Sequence, residues 1–171
     1  MIEVRQLGGA DRHRHLAALA ALLVDCVEGG ASVSFMAGFS QIDAERYFDG
    51  IFEDVAAGKR LLLAAFKGSE LVGSVQLGMA MPPNQPHRAD VAKLLVLRSA
   101  RGQGMGAHLM QSAEDAARRH GKTLLVLDTV AGGSAEKLYL RLGWNRAGVI
   151  PRYAKLPGGA WGDTVIFWKN L

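Results

Sequence analysis

The 171-residue sequence holds one cysteine, five prolines and no apolar run approaching the roughly 18 residues that a membrane-spanning helix needs. A single thiol, Cys26, excludes an internal disulfide and suits a reducing compartment, so a cytoplasmic location is expected. Placed among Leu22, Leu23 and Val27, it reads as helix core rather than as a nucleophile. The stretch "MIEVRQLGG" lacks the basic, apolar and small-residue regions of a secretory signal, and no membrane partner is expected. Basic residues outnumber acidic ones 20 to 16, yet no dense basic block appears, which argues against nucleic acid as a partner. The nearest candidate, "DRHRH" at 11–15, reads as a helix start with a solvated face. None of the five histidines stands at metal-ligand spacing from an acid or the cysteine, so no metal is expected.

What is present is ordinary for a globular protein, with 49% apolar and 21% charged residues. The length fits one domain, 1–171, with a sizeable core. Alternation in "IEVRQL" predicts a strand at 2–7, and helical spacing of Leu16, Leu19, Leu23 and Val27 predicts a helix over 11–28. An apolar loop (31–40) and a second helix (43–57) follow. A hairpin at 60–66 and 71–81, and a strand at 89–97, lead to a helix over 104–120. After it come a strand at 123–128, a short helix at 134–143 and final strands near 145–154 and 163–170. The pattern is that of a mixed α/β domain.

The segment "RSARGQGMGAHLM" spends three glycines in five residues, Gly102, Gly104 and Gly106, directly before a helix. A helix start offers unpaired N–H groups and a positive dipole end, and glycines let the backbone come close to a phosphate. A phosphate-binding P-loop needs Lys-Ser/Thr after the last glycine, where this chain has Ala107-His108. A dinucleotide fingerprint fits Gly102, Gly104 and Ala107, with Asp128 as its ribose acid. However, "RSAR" delays the turn, and only 43 residues follow Asp128. That reading stays open as a nucleotide-dependent oxidoreductase.

"RGQGMG" also satisfies Arg/Gln-x-x-Gly-x-Gly/Ala, and here the sequence resembles the GNAT family of N-acetyltransferases. The likeness runs from about Leu71 onward and, more loosely, over the N-terminal helices. "KLLVLRSARGQGMGAHLM", "LLVLDT", "AEKLYLRLGW", "IPRYAKLPGG" and "TVIFWKNL" are similar to the tabtoxin-resistance branch of that family.

The resemblance implies a single-domain fold with a mixed, mostly antiparallel sheet of six to seven strands and about four helices, splayed between the fourth and fifth strands. It implies an acetyl-CoA-dependent N-acetyltransferase that acts on the primary amine of a small molecule by direct attack in a ternary complex. An amino-acid-like toxin or antibiotic is the suggested acceptor. The alternatives are a non-catalytic acyl-CoA-binding module and a protein or peptide N-acetyltransferase. Backbone groups of Leu95, Val96 and Leu97 would pair with the pantetheine arm. Arg101, Gly102, Gln103, Gly104, Met105, Gly106 and Ala107 would hold the pyrophosphate. Tyr139 falls at the place of the acid for the departing thiolate, and Asp128 or Asp90 at that of the base. Gly132 stands where many members carry a cofactor-binding Asn, with Ser134 as a substitute donor. The acceptor pocket would draw on "SVSFMAGFS", Tyr47, Tyr153 and Trp161, and edge strands of this fold often pair into homodimers.

Overall fold

The computed structural model describes residues 2–171. Seven strands form one sheet in the order β1-β2-β3-β4-β5-β7-β6: β1 (Ile2–Leu7), β2 (Arg60–Lys67), β3 (Glu70–Gly78), β4 (Arg88–Val96), β5 (Leu124–Val130), β6 (Asn145–Lys155) and β7 (Trp161–Asn170). Only β4 and β5 run parallel. Four helices cover it: α1 (Arg12–Glu28), α2 (Gln41–Ala56), α3 (Met105–Arg119) and α4 (Ser134–Arg141). This is the mixed, mostly antiparallel α/β architecture expected from the sequence.

Strand β2 shows why both faces are covered. Its run Leu61–Phe66 is buried throughout, and successive side chains point to opposite faces. Leu61, Leu63 and Ala65 join a core with α3, Trp144 and Phe167, whereas Leu62, Ala64 and Phe66 join one with α1 and α2. Helix α2 begins two residues earlier than its apolar spacing predicts, because Ser40 caps it. The Ser40 hydroxyl accepts from Asp43 N at 3.1 Å, and an Asp43 carboxylate oxygen accepts from Ser40 N at 3.3 Å.

Two irregularities open the sheet. Strands β4 and β5 pair only where Arg88–Asp90 faces Leu124–Val126, and beyond that point they separate. On the other side of β4, Val75 faces two residues, Lys93 and Leu94, because the register jumps between Ser74↔Leu95 and Gln76↔Ala92. Lys93 takes φ 52° there, a left-handed conformation that costs a non-glycine residue about 1–3 kcal/mol. Strand β5 also runs past Asp128, which the sequence reading placed at its end. Pairing with β7 carries it on to Val130, opposite Thr164.

Beneath α3, Glu114 is buried with both carboxylate oxygens accepting from Lys169 Nζ, at 2.9 and 2.8 Å. Trp144 Nε1 donates to it at 3.1 Å, and Lys169 Nζ also donates to the Leu142 carbonyl at the end of α4 at 2.8 Å. Removing one partner strands a buried charge. Glu114→Ala is expected to cost about 2–3 kcal/mol, below the usual figure for a fully buried pair, because the Lys169 side chain keeps 21% exposure and can reach water. Thermal unfolding should show a Tm drop of about 5–10 °C. A drop within error would mean the pair contributes little. No helix of the described residues is long and apolar enough to cross a membrane.

Candidate active site

A cavity of about 800 Å³ fills the opening between β4 and β5, within the usual range for small-molecule sites. One wall is the glycine loop. After β4 the chain makes a single 3₁₀ turn (Arg98–Ala100) and reaches Gly102 and Gly104, at φ 75° and 78°. Gly104 is the residue before α3, and no side chain caps that helix. The N–H groups of Met105, Gly106 and Ala107 therefore have no partner within the helix, and all three residues line the cavity. Gly106 serves a different need. A Cβ there would stand 3.0 Å from Leu138 Cδ2, so its absence lets α3 and α4 approach.

The opposite wall carries Tyr139 and Asp128. Helix α4 lays the Tyr139 ring between Trp144 and Phe167, at centroid distances of 6.0 and 5.8 Å. The residue is buried, lines the cavity, and its hydroxyl makes no hydrogen bond among the described residues. Burial pushes the phenol pKa well up, and the nearby negative charge of Asp128 adds to that, so the group stays protonated. The Asp128 side chain is exposed to the cavity and makes no hydrogen bond among the described residues.

Asp90 lies elsewhere. It sits where β4 and β5 still pair, bonds to Arg88, and lines neither cavity. Leu95, Val96, Arg101 and Ser134 line the main cavity, whereas Leu97 and Gln103 do not. Leu97 N donates back to Val72 O at 2.9 Å, and the Val96 carbonyl accepts from Arg101 Nε at 3.1 Å. Gly132 adopts φ 78°, and its N–H donates to Glu136 Oε2 at 2.6 Å, so a side-chain carboxylate closes the turn before α4.

The α1–α2 loop is tied to the β6–β7 loop, with Ala37 N donating to Pro157 O at 3.0 Å. Its aromatics anchor it rather than lining the cavity. Phe35 stacks on Phe39 at 4.2 Å and meets Tyr47 edge-on at 5.2 Å. A side chamber of about 90 Å³ adjoins the main cavity through Ser32, Ser34 and Asp128, and is closed by Tyr153, Lys155 and Thr164. Trp161 lines neither. Lys93 lines the main cavity and was not singled out from the sequence; its one signal was a charge inside the apolar run "AKLLVL".

Residues 29–144 match the profile of the Acetyltransferase (GNAT) family. The chain belongs to that family. This acetyltransferase is 27% identical over 110 residues to the aminoalkylphosphonate N-acetyltransferase of Salmonella typhimurium, covering 63% of this chain and 71% of that protein. Its fold is that of a Brucella melitensis ribosomal-protein-alanine N-acetyltransferase, with TM-score 0.79, 24% identity and 99% of each chain covered. Salmonella typhimurium yncA, solved with its cofactor acetyl-CoA, superposes with TM-score 0.79 at 19% identity, over 99% of this chain and 94% of that one. Acetyl-CoA is the acetyl donor of GNAT acetyltransferases, and the residues here suit it. Unpaired helix-start N–H groups and left-handed glycines form a cradle for a pyrophosphate, and the cavity continues from there to Tyr139.

Proposed function

We propose that this acetyltransferase moves the acetyl group of acetyl-CoA to the primary amine of a small molecule within one ternary complex. The observation that carries this reading is the unpaired Tyr139 hydroxyl at the cavity wall, with the free Asp128 carboxylate beside the same space. The neutral amine attacks the thioester carbonyl, and a C–N bond forms as the C–S bond breaks. Tyr139 gives its proton to the leaving thiolate, and Asp128, directly or through water, takes the proton the amine sheds. No covalent enzyme intermediate is needed, so the work lies in positioning and proton management.

Asp128 is preferred to Asp90 as base because only Asp128 reaches the cavity. The narrow side chamber of about 90 Å³ beside Asp128 favours a small acceptor over a protein chain. The Salmonella relative acts on an aminoalkylphosphonate by its name, and an amino-acid-like toxin or antibiotic belongs to the same size class. The first test is thermal unfolding with and without acetyl-CoA, with NADH and NADPH as controls. At a hundred times its dissociation constant a ligand adds about 2.7 kcal/mol. For a chain of this size that is a rise of about 5–10 °C. Acetyl-CoA alone should protect, and thiol release with a panel of amines should follow. Protection by a dinucleotide only, or by nothing, would overturn the reading.

A further inference from the structure

Lys93 is a half-buried cation with no counter-ion. Among the described residues no carboxylate lies within ion-pair distance of its ammonium, whose one hydrogen bond goes to Ser34 Oγ at 2.9 Å. The Phe35 ring lies 5.7 Å below it. An ammonium has three donors, so two remain for whatever enters the cavity that Lys93 lines.

Arg101 and Arg141 also line the main cavity, Arg101 with its Nε on the Val96 carbonyl. Arg60, whose charge Lys93 feels, donates to Gln76 Oε1 at 3.2 Å and to Asp54 at 3.4 Å. Lys155, in the side chamber, sits over the Trp161 ring at 5.3 Å. Burial weakens the hold of Lys93 on its proton, and the charge of Asp128 acts the other way. The bulge that aims this side chain needs a left-handed lysine in mid-strand. Such strain persists where surrounding structure imposes it, often at ligand sites.

Asp128 from β5 and Lys93 from β4 thus bring opposite charges to one cavity, and among the described residues neither has an ion-pair partner. Ser34, which holds Lys93, also lines the side chamber together with Asp128. We propose that Lys93 and Ser34 bind an acidic group on the acceptor, which is a compact zwitterion with its amine toward Asp128 and its oxyanion toward Lys93. Lys93 is then a specificity-determining residue of the acceptor site. The inference rests on the small-amine acetyltransferase reading and names the acceptor's second functional group.

The test compares matched amines that differ only in that group. α-Amino acids, their carboxamides and the corresponding 1-aminoalkylphosphonates are assayed for thiol release from acetyl-CoA, with acetyl-CoA binding measured separately by calorimetry. The wild type should prefer the acids to the carboxamides, and the carboxylate and phosphonate arms show which oxyanion is taken. In Lys93→Met the ratio of kcat/KM for acid over carboxamide should fall about 100-fold, mainly through KM, as loss of a charge-assisted hydrogen bond with its ion pair implies. Lys93→Arg should restore part of the ratio. Acetyl-CoA binding should match the wild type in both variants, and thermal unfolding should confirm that both fold. A wild type that favours carboxamides, or a ratio unchanged in Lys93→Met, would overturn the inference and leave the acetyltransferase reading standing. Acetyl-CoA binding without thiol release for any amine would defeat that reading and this inference together.

Discussion

Gly104→Val is expected to weaken acetyl-CoA binding by about 100- to 10,000-fold, because two or so charge-assisted N–H bonds to phosphate, each about 1.5–3 kcal/mol, lose their geometry. The cause is conformational rather than steric. A Cβ at this position would meet only His108 ring atoms, at 3.7 Å, but φ is 78° there and a β-branched side chain is a poor occupant of that region. Valine would drive the peptide before α3 out of the left-handed well and turn the helix-start N–H groups from the cavity. The ligand-free protein should lose only about 1–2 kcal/mol of stability. Gly104→Asn supplies the control, since asparagine tolerates the left-handed region and should keep most of the affinity. Calorimetric titration of both variants with acetyl-CoA decides the matter, and a valine variant that binds within a few-fold of wild type would remove the loop from the cofactor site.

Tyr139→Phe carries the second large effect, a fall in kcat of about 100- to 1000-fold with little change in KM for acetyl-CoA. Phenylalanine fits the same space between Trp144 and Phe167, and the lost hydroxyl has no hydrogen-bond partner to strand. Stability should therefore hold while the chemical step slows. Because burial and Asp128 raise the phenol pKa, its ionisation should not limit the wild-type rate at or below the ordinary tyrosine value of about 10. Steady-state kinetics of the variant, with a pH profile of the wild type, tests both statements. Unchanged kcat in the variant would assign the proton to water or another group.

Much of this arrangement was legible because the chain punctuates it. Glycines mark the start of α3 and the ends of α1 and α3, so the loop and its helix could be placed to within a residue. The bulge in β4 carries no such mark. Lys93 sits in an apolar run with no glycine or proline, and its left-handed turn shows only in the register with β3. Asp90 and Asp128 looked equivalent as strand-end carboxylates. Their difference comes from pairing: β4 and β5 are still joined at Asp90 and apart at Asp128. Glu114 reads as one more polar residue on α3. Its burial depends on Lys169, which lies 55 residues away in sequence.

The strand order has a temporal consequence. β7 follows β6 along the chain yet lies between β5 and β6, hydrogen-bonded to both. Until β7 has been synthesised, β6 has no neighbour in the sheet, and β5, the strand that carries Asp128, is held only by its short parallel contact with β4. During vectorial synthesis the N-terminal half, β1 to β4 with α1 to α3, can assemble around its own antiparallel pairs while the other half waits. The last strand added thus fixes β5 in the sheet, and a nascent chain holds the glycine loop before the wall that carries Asp128 is in place.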